Sequence, residues 1–228
     1  MIKVEDIEIG LLATATRGSR NPMESWNKSD SKWLSYMIIQ DEIQVSFDEP
    51  IRILYPDFLI GSNDIKLVNT LHDAGSEHRK CVRQAFIGMD VTAPLYWWKE
   101  FDQYKIGVTT DSCSTMHKIH SKPIELTDFS FEDFYIDDNG LNVEDYFINV
   151  VADCEELRQL FLKTKEKKYW RSLIQLLPES YNQKRTVTMS YENLTNILNQ
   201  RRNHKLIEWN NYCEVLEKIP YVKEIRGE

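Results

Sequence analysis

The stretch Leu176–Trp209, LLPESYNQKRTVTMSYENLTNILNQRRNHKLIEW, combines a helical repeat, an unusual placement of charge and a helix-capping residue. Ser190 is a good N-cap, because its hydroxyl can accept from the free backbone N–H groups of a helix that follows it. At about 100° per residue, Leu194, Ile197 and Leu198 form one apolar stripe. The stretch therefore predicts an amphipathic helix that packs against a core.

Further along, the same stripe carries polar residues in place of apolar ones, at Arg201, Lys205 and Glu208. A buried guanidinium without a partner is strongly unfavourable, so we expect Arg201 to meet either an anion supplied by a ligand or a protein carboxylate. The alternative is that Arg201–His204 ends one helix and that a second helix begins at Lys205 or Leu206. Both alternatives stay open at this point.

Length and charge restrict the class of protein. The 228 residues fit a single domain, 1–228, with a substantial core. The formal charge of −8 argues against an extended surface for a nucleic-acid polymer or an anionic membrane, so we expect small anions as partners. The first residues, MIKVEDIEIG, do not resemble a signal peptide, and no apolar run approaches the roughly 18 residues of a membrane span. We therefore expect a soluble protein.

The four cysteines are far apart, and none belongs to a C-x-x-C pair; they are Cys81, Cys113, Cys154 and Cys213. This spacing predicts neither a zinc site nor a disulfide framework. We expect no metal site and a cytoplasmic location.

The N-terminal part shows strand and turn patterns. Ile7–Thr16 is rich in small and β-branched residues and predicts a strand. A polar loop is expected to follow, in which Arg17 and Arg20 lie near a phosphate or simply on the surface. Glu42–Leu59 alternates apolar and polar residues around Asp48–Pro50, which predicts a hairpin.

Two helices are expected next. Asn63 or Asp64 can cap the first, and Gly75 suits the left-handed position that ends it. Ser76 can cap a second helix that continues to Met89.

Two groups of polar residues could take part in binding. His72 and His78 lie at the junction of these helices, where an imidazole donates to a ligand ring or satisfies a backbone carbonyl. Thr109–Thr115 offers several hydroxyls around Asp111, a run that either binds phosphate or forms an ordinary polar turn. The cations near this run are Lys105, His117 and Lys118.

The remaining segments are mainly structural in character. Ala93–Phe101 is dense in aromatic residues and predicts core. Lys122–Val150 is acidic and aromatic, and we interpret it as an insertion or lid with a turn at Asp137–Gly140. We expect its acidic stretch 126–148 to be largely exposed. Cys154–Leu176 predicts a pair of helices.

From Leu177 onward the chain resembles the flavin-dependent thymidylate synthases. In that family a Leu-Pro pair precedes a Thr-x-Asn helix entrance, then Leu, Asn, Leu and Arg at fixed spacing, and a second helix with Glu and Trp. The corresponding residues follow without gaps: Leu177, Pro178, Thr188, Ser190, Leu194, Asn196, Leu198, Arg201, Glu208 and Trp209. His72–His78 and Ala93–Pro94 resemble earlier family segments in outline. The resemblance implies an α+β fold in one domain, with hairpin and acidic-lid insertions.

The resemblance also implies a chemistry and the residues for it. Reduced FAD would transfer a one-carbon unit to a deoxyuridylate-like pyrimidine nucleotide, with NADPH and methylenetetrahydrofolate as co-substrates. A homotetramer would build the flavin sites. The implied cofactor-binding residues are His72, His78, Asn196 and Ser190, and the implied catalytic residues are Arg201, Lys105 and Asp111.

One family signature is altered. The Arg-His-Arg motif falls on Gln103–Lys105, and neutral Gln103 and Thr115 stand where the family has arginine. Each lost phosphate contact weakens binding by ~1.5–3 kcal/mol. The alternatives are therefore an enzyme of the family type, a non-catalytic descendant that binds a nucleotide or a partner protein, and a related enzyme with another nucleotide or no flavin. Residues that could compensate for the lost charge are Arg17, Arg20, Lys118, Lys184 and Arg185.

Overall fold

The computed structural model describes residues 1–34, 40–55, 57–134 and 142–228. Its strands are β1 Lys3–Gly10, β2 Lys32–Trp33, β3 Gln40–Ile43, β4 Ile51–Leu54, β5 Phe58–Leu59, β6 Phe86–Pro94, β7 Val108–Ser112 and β8 Asn182–Ser190. Its α-helices are α1 Leu12–Arg20, α2 Ser62–Asp73, α3 Lys80–Gln84, α4 Leu95–Phe101, α5 Thr115–Lys118, α6 Val143–Thr164, α7 Lys167–Leu176, α8 Tyr191–Arg201, α9 Ile207–Glu217 and α10 Val222–Arg226. This mixture confirms the α+β class.

Six strands form one sheet in the order β3-β4-β1-β6-β8-β7, and β2 pairs with β5 in a separate ribbon. β1 and β4 are parallel, with Ile7 opposite Ile53. β3 and β4 are antiparallel, with Ile43 opposite Ile51, so the predicted hairpin around Asp48–Pro50 is confirmed. β7 ends the sheet, so one of its edges has no strand neighbour among the described residues.

The prediction for Ile7–Thr16 is wrong in its second half. The strand ends at Gly10, and α1 begins at Leu12, so Arg17 and Arg20 lie on a helix and not in a loop. The buried positions of α1 repeat at i, i+3, i+4, i+7 and i+8, and they are Leu12, Ala15, Thr16, Ser19 and Arg20. That spacing is the helical period, and it outweighs the strand preference of the threonines.

The second helix expected after Gly75 is also wrong in extent. Gly75 has a positive φ of 122°, as expected of a helix terminator. α3 then ends at Gln84, and the residues up to Pro94 form β6, along which buried and half-buried positions alternate. Alternation with period two is the pattern of a strand, so Met89 belongs to the sheet.

The cap of α2 comes from a residue distant in sequence. The carboxylate of Asp30 accepts from the backbone N–H groups of Asn63 at 3.0 Å and Asp64 at 3.3 Å. Asn63 and Asp64 are therefore the first-turn residues and not the cap that we expected. A side chain in a separate segment satisfies the same free donors that a local N-cap would satisfy.

The predicted helix at Leu194–Leu198 is confirmed. The Ser190 hydroxyl accepts from the backbone N–H of Asn193 at 3.3 Å, and Leu194, Ile197 and Leu198 are fully buried. α8 ends at Arg201 and α9 begins at Ile207, so the chain breaks between two helices, as in the alternative considered above.

The described residues cluster into two compact units. The smaller unit consists of Met1, Thr92–Asp102 and Ser112–Arg185, and the larger unit consists of residues 2–91, 103–111 and 186–228. The single-domain organisation expected from the length stays a prediction.

The smaller unit has its own hydrophobic core, formed by Ile119, Ile124, Phe129, Phe147, Val151, Cys154 and Leu173. α6 and α7 confirm the expected helical pair, although α6 already begins at Val143. Phe129 and Phe147 are buried, so the expectation that 126–148 is largely exposed is wrong for these two residues, whereas Tyr146 is exposed. The predicted turn at Asp137–Gly140 lies outside the described residues.

Candidate functional site

A short segment of the larger unit lies along the polar face of α8. Tyr104 donates its hydroxyl hydrogen to Oε1 of Gln200 at 2.9 Å, and the Nδ2 group of Asn193 donates to the carbonyl of Ile106 at 2.7 Å. Asn193 and Gln200 are two helical turns apart and share a face with Asn196. Asn196 is half-buried, and it is thus placed on the face that the segment follows.

Arg201 lies beside two aromatic rings. Its guanidinium carbon is 4.7 Å from the centre of the Trp209 ring and 5.8 Å from that of Tyr104, distances at which a cation is attracted to the face of a ring. Its Nε donates to the Tyr104 hydroxyl at 3.1 Å. The side chain is half-buried. The rings and the hydroxyl therefore contact the guanidinium for which the sequence led us to expect a ligand anion or a carboxylate.

Lys105 follows Tyr104 in this segment and is exposed. Asp111 is also exposed and lies on β7, the last strand of the sheet. The structure therefore brings Lys105 and Asn196 to the same region as Arg201, whereas Asp111 belongs to a different element.

The remaining residues expected at a flavin are engaged in different ways. The buried hydroxyl of Ser190 caps α8 and donates to Oδ1 of Asn193 at 2.6 Å. His72 is buried on α2, with Nδ1 at 3.3 Å from Oδ1 of Asp73, while its Nε2 has no hydrogen-bond partner among the described residues. His78 is exposed, and Nε2 lies 3.8 Å from Oε1 of Glu77.

A cavity of about 330 Å³ lies in the smaller unit, at the segment that follows β7. Its lining is rich in hydroxyls and ammonium groups and consists of Thr92, Cys113, Ser114, Thr115, Lys118, Ile119, Ser121, Lys122, Thr127, Asp128, Tyr181, Asn182, Gln183 and Lys184. We call it the lysine cavity. Several of its residues belong to the hydroxyl-rich run in which the sequence suggested a phosphate site.

Backbone contacts hold the wall of the lysine cavity in place. The N–H of Cys113 donates to the carbonyl of Lys184 at 2.9 Å, and Nε2 of Gln183 donates to the carbonyl of Cys113 at 2.8 Å. Ser114 caps α5 by accepting from the N–H of His117 at 3.1 Å. The cavity wall is thus fixed by residues about 70 positions apart in the chain.

The charged groups of the lysine cavity differ in how far they are engaged. Nζ of Lys122 lies 2.5 Å from Oδ1 of Asp128, and this hydrogen bond raises the pKa of Lys122. Burial raises the pKa of Tyr181, which stays a neutral phenol at pH 7. Lys118 is exposed, and its ammonium forms no ion pair within the described parts of the chain. Lys118 is therefore well placed to receive an anion.

The residues that we considered as replacements for the missing arginines differ in whether the protein itself pairs their charge. Nε of Arg20 pairs with the fully buried carboxylate of Asp64 at 2.7 Å. NH1 of Arg185 lies 2.6 Å from Asp102, and its guanidinium carbon is 4.2 Å from the centre of the Trp98 ring. Both arginines are thus held by the protein itself. Lys118 and Lys184 both line the lysine cavity.

Sequence reasoning missed several residues of the lysine cavity, namely Lys122, Thr127, Tyr181 and Gln183. Lys122 lies seven residues after Thr115, the end of the polar run, so its position was a usable signal. Tyr181 and Gln183 gave none, because only the fold brings them next to Cys113.

Metal-binding clusters and membrane-spanning helices are both absent from the described residues. Within residues 1–34, 40–55, 57–134 and 142–228, no group of three or more His, Cys, Asp or Glu side chains is arranged to hold a metal ion. None of the helices described above is both long and apolar enough to cross a membrane.

Comparison with solved structures identifies the architecture. The chain superposes on flavin-dependent thymidylate synthase ThyX from Helicobacter pylori in complex with FAD and dUMP with a TM-score of 0.65, 16% identity and 98% of each chain covered. A second structure of that enzyme with FAD and dUMP gives a TM-score of 0.67 and 15% identity, with 100% of this chain and 98% of the other covered. No protein-family model and no curated protein sequence matches the chain. The chain therefore has the fold of the flavin-dependent thymidylate synthases.

Proposed function

We propose that the protein binds a pyrimidine nucleotide of the dUMP type and that the nucleotide phosphate occupies the lysine cavity. The observation that carries the proposal is the combination of ammonium and hydroxyl groups around one cavity of about 330 Å³. Structures with the same fold contain dUMP. A cavity of this size suits part of a nucleoside monophosphate.

On α5, the proposed phosphate site has a positive charge although the family arginine is absent. Thr115 stands where the family has an arginine, and Lys118 is three residues further along the same helix. Residues at this spacing lie on one helix face, so the Lys118 ammonium supplies the positive charge that Thr115 lacks. Hydroxyls of Thr115 and Thr127 can donate to the remaining phosphate oxygens.

A lysine in place of an arginine changes the quality of the contact. An ammonium binds phosphate as a point charge, whereas a guanidinium can form two parallel hydrogen bonds. We therefore expect an affinity for dUMP that depends strongly on salt concentration. The ion pair of Lys122 with Asp128 reduces the net charge of the lysine cavity.

The residues present fit a flavin only in part. Ser190 is fully engaged in the cap of α8, so this position does not fit the flavin contact that the resemblance implies. His72 is buried, and its Nε2 has no hydrogen-bond partner among the described residues. Asn196 is half-buried, and His78 is exposed. We therefore derive no catalytic step through FAD. Transfer of a one-carbon unit with NADPH and methylenetetrahydrofolate is supported only by the likeness of fold.

Two candidate functions follow, and one spectrum separates them. A non-catalytic nucleotide-binding protein is favoured by the neutral Gln103 and Thr115 and by the engaged Ser190. A flavoenzyme is favoured by the fold, since both solved structures reported above contain FAD. The test is the absorbance spectrum of the purified protein after incubation with FAD and gel filtration. Oxidised flavin absorbs at about 450 nm, and a flavoenzyme should retain roughly one equivalent of it.

We also propose a homotetramer and a cytoplasmic location. We expect a homotetramer by analogy with the fold, which light scattering at micromolar concentration tests directly. The four cysteines are free thiols, of which only Cys113 is exposed, and this state suits the cytoplasm.

The direct test of nucleotide binding is calorimetric titration with dUMP. Lys118→Ala is expected to weaken binding about tenfold or more, because a charge-assisted hydrogen bond contributes ~1.5–3 kcal/mol. Lys168→Ala is the matched control, since Lys168 is an exposed lysine of the same unit that pairs with Glu166 and does not line the lysine cavity. Equal affinities of the two variants, or no binding by the wild type at millimolar dUMP, would contradict the proposal.

A further inference from the structure

A second cavity, of about 220 Å³, lies in the larger unit beside α1. It is lined by Ala13, Thr16, Arg17, Arg20, Trp26, Ser29, Ser31, Trp33 and Phe58. We call it the tryptophan cavity. It shares no residue with the lysine cavity, and none of the roles assigned so far uses it.

Two indole rings of the tryptophan cavity are exposed and yet held in place. Trp26 is 51% exposed, and its Nε1 donates to Oδ1 of Asn21 at 2.8 Å. Trp33 is 64% exposed, and its ring meets that of Phe58 edge-on with centres 5.1 Å apart. Exposing two large rings is unfavourable in water, and holding them rigid removes part of the entropy cost of binding. The rings therefore offer a prepared stacking surface.

The charge of the lining is positive, although the chain as a whole carries a formal charge of −8. Neither aspartate nor glutamate occurs among the lining residues, whereas two arginines do. Arg20 is neutralised by the buried Asp64, which also accepts from the hydroxyls of Ser29 at 2.6 Å and Ser31 at 2.5 Å. The polar groups of the inner wall are thus paired with one another. The positive charge that remains for a ligand is that of Arg17.

Arg17 is exposed on α1 and forms no ion pair with any residue that the structure describes. Thr16, beside it, is buried, and its hydroxyl has no hydrogen-bond partner among the described residues. Proteins bind planar rings that carry a negative charge by placing a cation next to exposed aromatic side chains. The guanidinium binds the anion, and an indole stacks on the ring.

We propose that the tryptophan cavity binds a planar aromatic ring that carries a negative charge, with the ring against Trp33 and the anion at Arg17. A nucleobase bearing a phosphate and an aromatic carboxylate share this chemistry. The cavity is small, so it accommodates a single ring system and not a folded partner. The inference is independent of nucleotide binding at the lysine cavity.

Fluorescence titrations with three probes test the inference. Adenosine monophosphate supplies a ring and a phosphate, indole-3-carboxylate supplies a ring and a carboxylate, and inorganic phosphate supplies charge without a ring. We expect saturable quenching with at least one ring-bearing anion and binding about tenfold weaker for inorganic phosphate, because stacking on an aromatic side chain contributes ~1–3 kcal/mol. Comparison of the first two probes distinguishes a nucleotide from an aromatic acid.

Variants locate the ligand. Trp33→Ala and Arg17→Ala are each expected to lower the affinity for the quenching ligand about tenfold. Arg17→Lys is expected to retain part of the affinity that Arg17→Ala loses. Both side chains are exposed, so the variants should fold, which unchanged melting temperatures would establish. Arg171→Ala, at an exposed arginine of the smaller unit, is the control and should bind as the wild type does.

Three outcomes would overturn the inference. The first is the absence of saturable binding by either ring-bearing probe. The second is wild-type affinity in both Trp33→Ala and Arg17→Ala. The third is loss of the signal in Lys118→Ala, which would assign the ligand to the lysine cavity.

Discussion

The guanidinium of Arg201 lies on the face of the Trp209 ring, with its carbon 4.7 Å from the ring centre. The contact joins the last residue of α8 to α9, across the break between the two helices. Since Trp209 is fully buried, the arginine covers part of the core of the larger unit. Arg201 thus has a structural role in addition to the nucleotide contact that the family resemblance implies.

Removing the Arg201 side chain should therefore destabilise the protein. Arg201→Ala is expected to lower the free energy of unfolding by ~1–2 kcal/mol, because a partly desolvated cation on a tryptophan contributes about that much. Urea denaturation monitored by fluorescence measures the change. The control is Arg202→Ala, whose exposed pair with Glu217 should contribute less than about 1 kcal/mol. An Arg201→Ala variant with unchanged stability and lost dUMP binding would instead make Arg201 a ligand-binding residue.

The buried pair of Arg20 and Asp64 gives a larger expected effect. Arg20→Ala leaves a fully buried carboxylate without its cation and is expected to destabilise the protein by ~3–5 kcal/mol. Arg17→Ala, on the same helix and exposed, is the matched control and should change stability little. Thermal unfolding of both variants makes the comparison. A similar melting temperature for the two would show that the Ser29 and Ser31 hydroxyls suffice to stabilise Asp64.

Acid should weaken the smaller unit through Glu155. Hydrogen bonds from Arg158 lower the pKa of Glu155 to about 2, against the opposing effect of burial, and the N–H of Ile124 adds to the shift. A carboxyl whose pKa is lower in the folded state stabilises that state above its unfolded pKa of ~4.3. This contribution is lost as the pH falls from about 4 towards 2.

Urea denaturation at pH 6 and pH 3 tests the role of Glu155. The wild type should lose more stability between these pH values than Glu155→Gln does, because the amide does not titrate. Glu156→Gln, at an exposed neighbour, should follow the wild type. Identical losses for the wild type and Glu155→Gln would exclude Glu155 as a source of the pH dependence.

Local patterns predicted the elements whose determinants are close in sequence. The cap at Ser190 and the stripe Leu194, Ile197 and Leu198 lie within one helix, so the sequence alone was sufficient. The hairpin of β3 and β4 was predicted for the same reason, since both strands and the turn are contiguous.

Elements that depend on distant partners were predicted poorly. α2 is capped by Asp30, and no local pattern shows that a carboxylate about 30 residues earlier lies there. The threonines of α1 favour a strand, but packing against α3 and the buried face of α1 favour a helix. In that segment, tertiary packing outweighs the intrinsic strand propensity of the threonines.

The candidate site shows the same division. The hydroxyl-rich run and Lys118 were visible in the sequence as a possible phosphate site. Tyr181, Asn182 and Gln183 complete the lysine cavity from β8 and the residue before it, and only the fold brings them to the run. The arrangement that we propose as a replacement for the lost arginines could therefore not be derived from spacing alone.

The central claim is that the lysine cavity recognises the phosphate of a pyrimidine nucleotide, and comparing dUMP with deoxyuridine tests it most directly. The two ligands share the base and the sugar and differ only in the phosphate. Calorimetric titration of the wild-type protein should show dUMP binding about a hundredfold more tightly, since two charge-assisted contacts of ~1.5 kcal/mol each are lost with the phosphate. Equal affinities for dUMP and deoxyuridine, or no detectable binding of dUMP, would contradict the account.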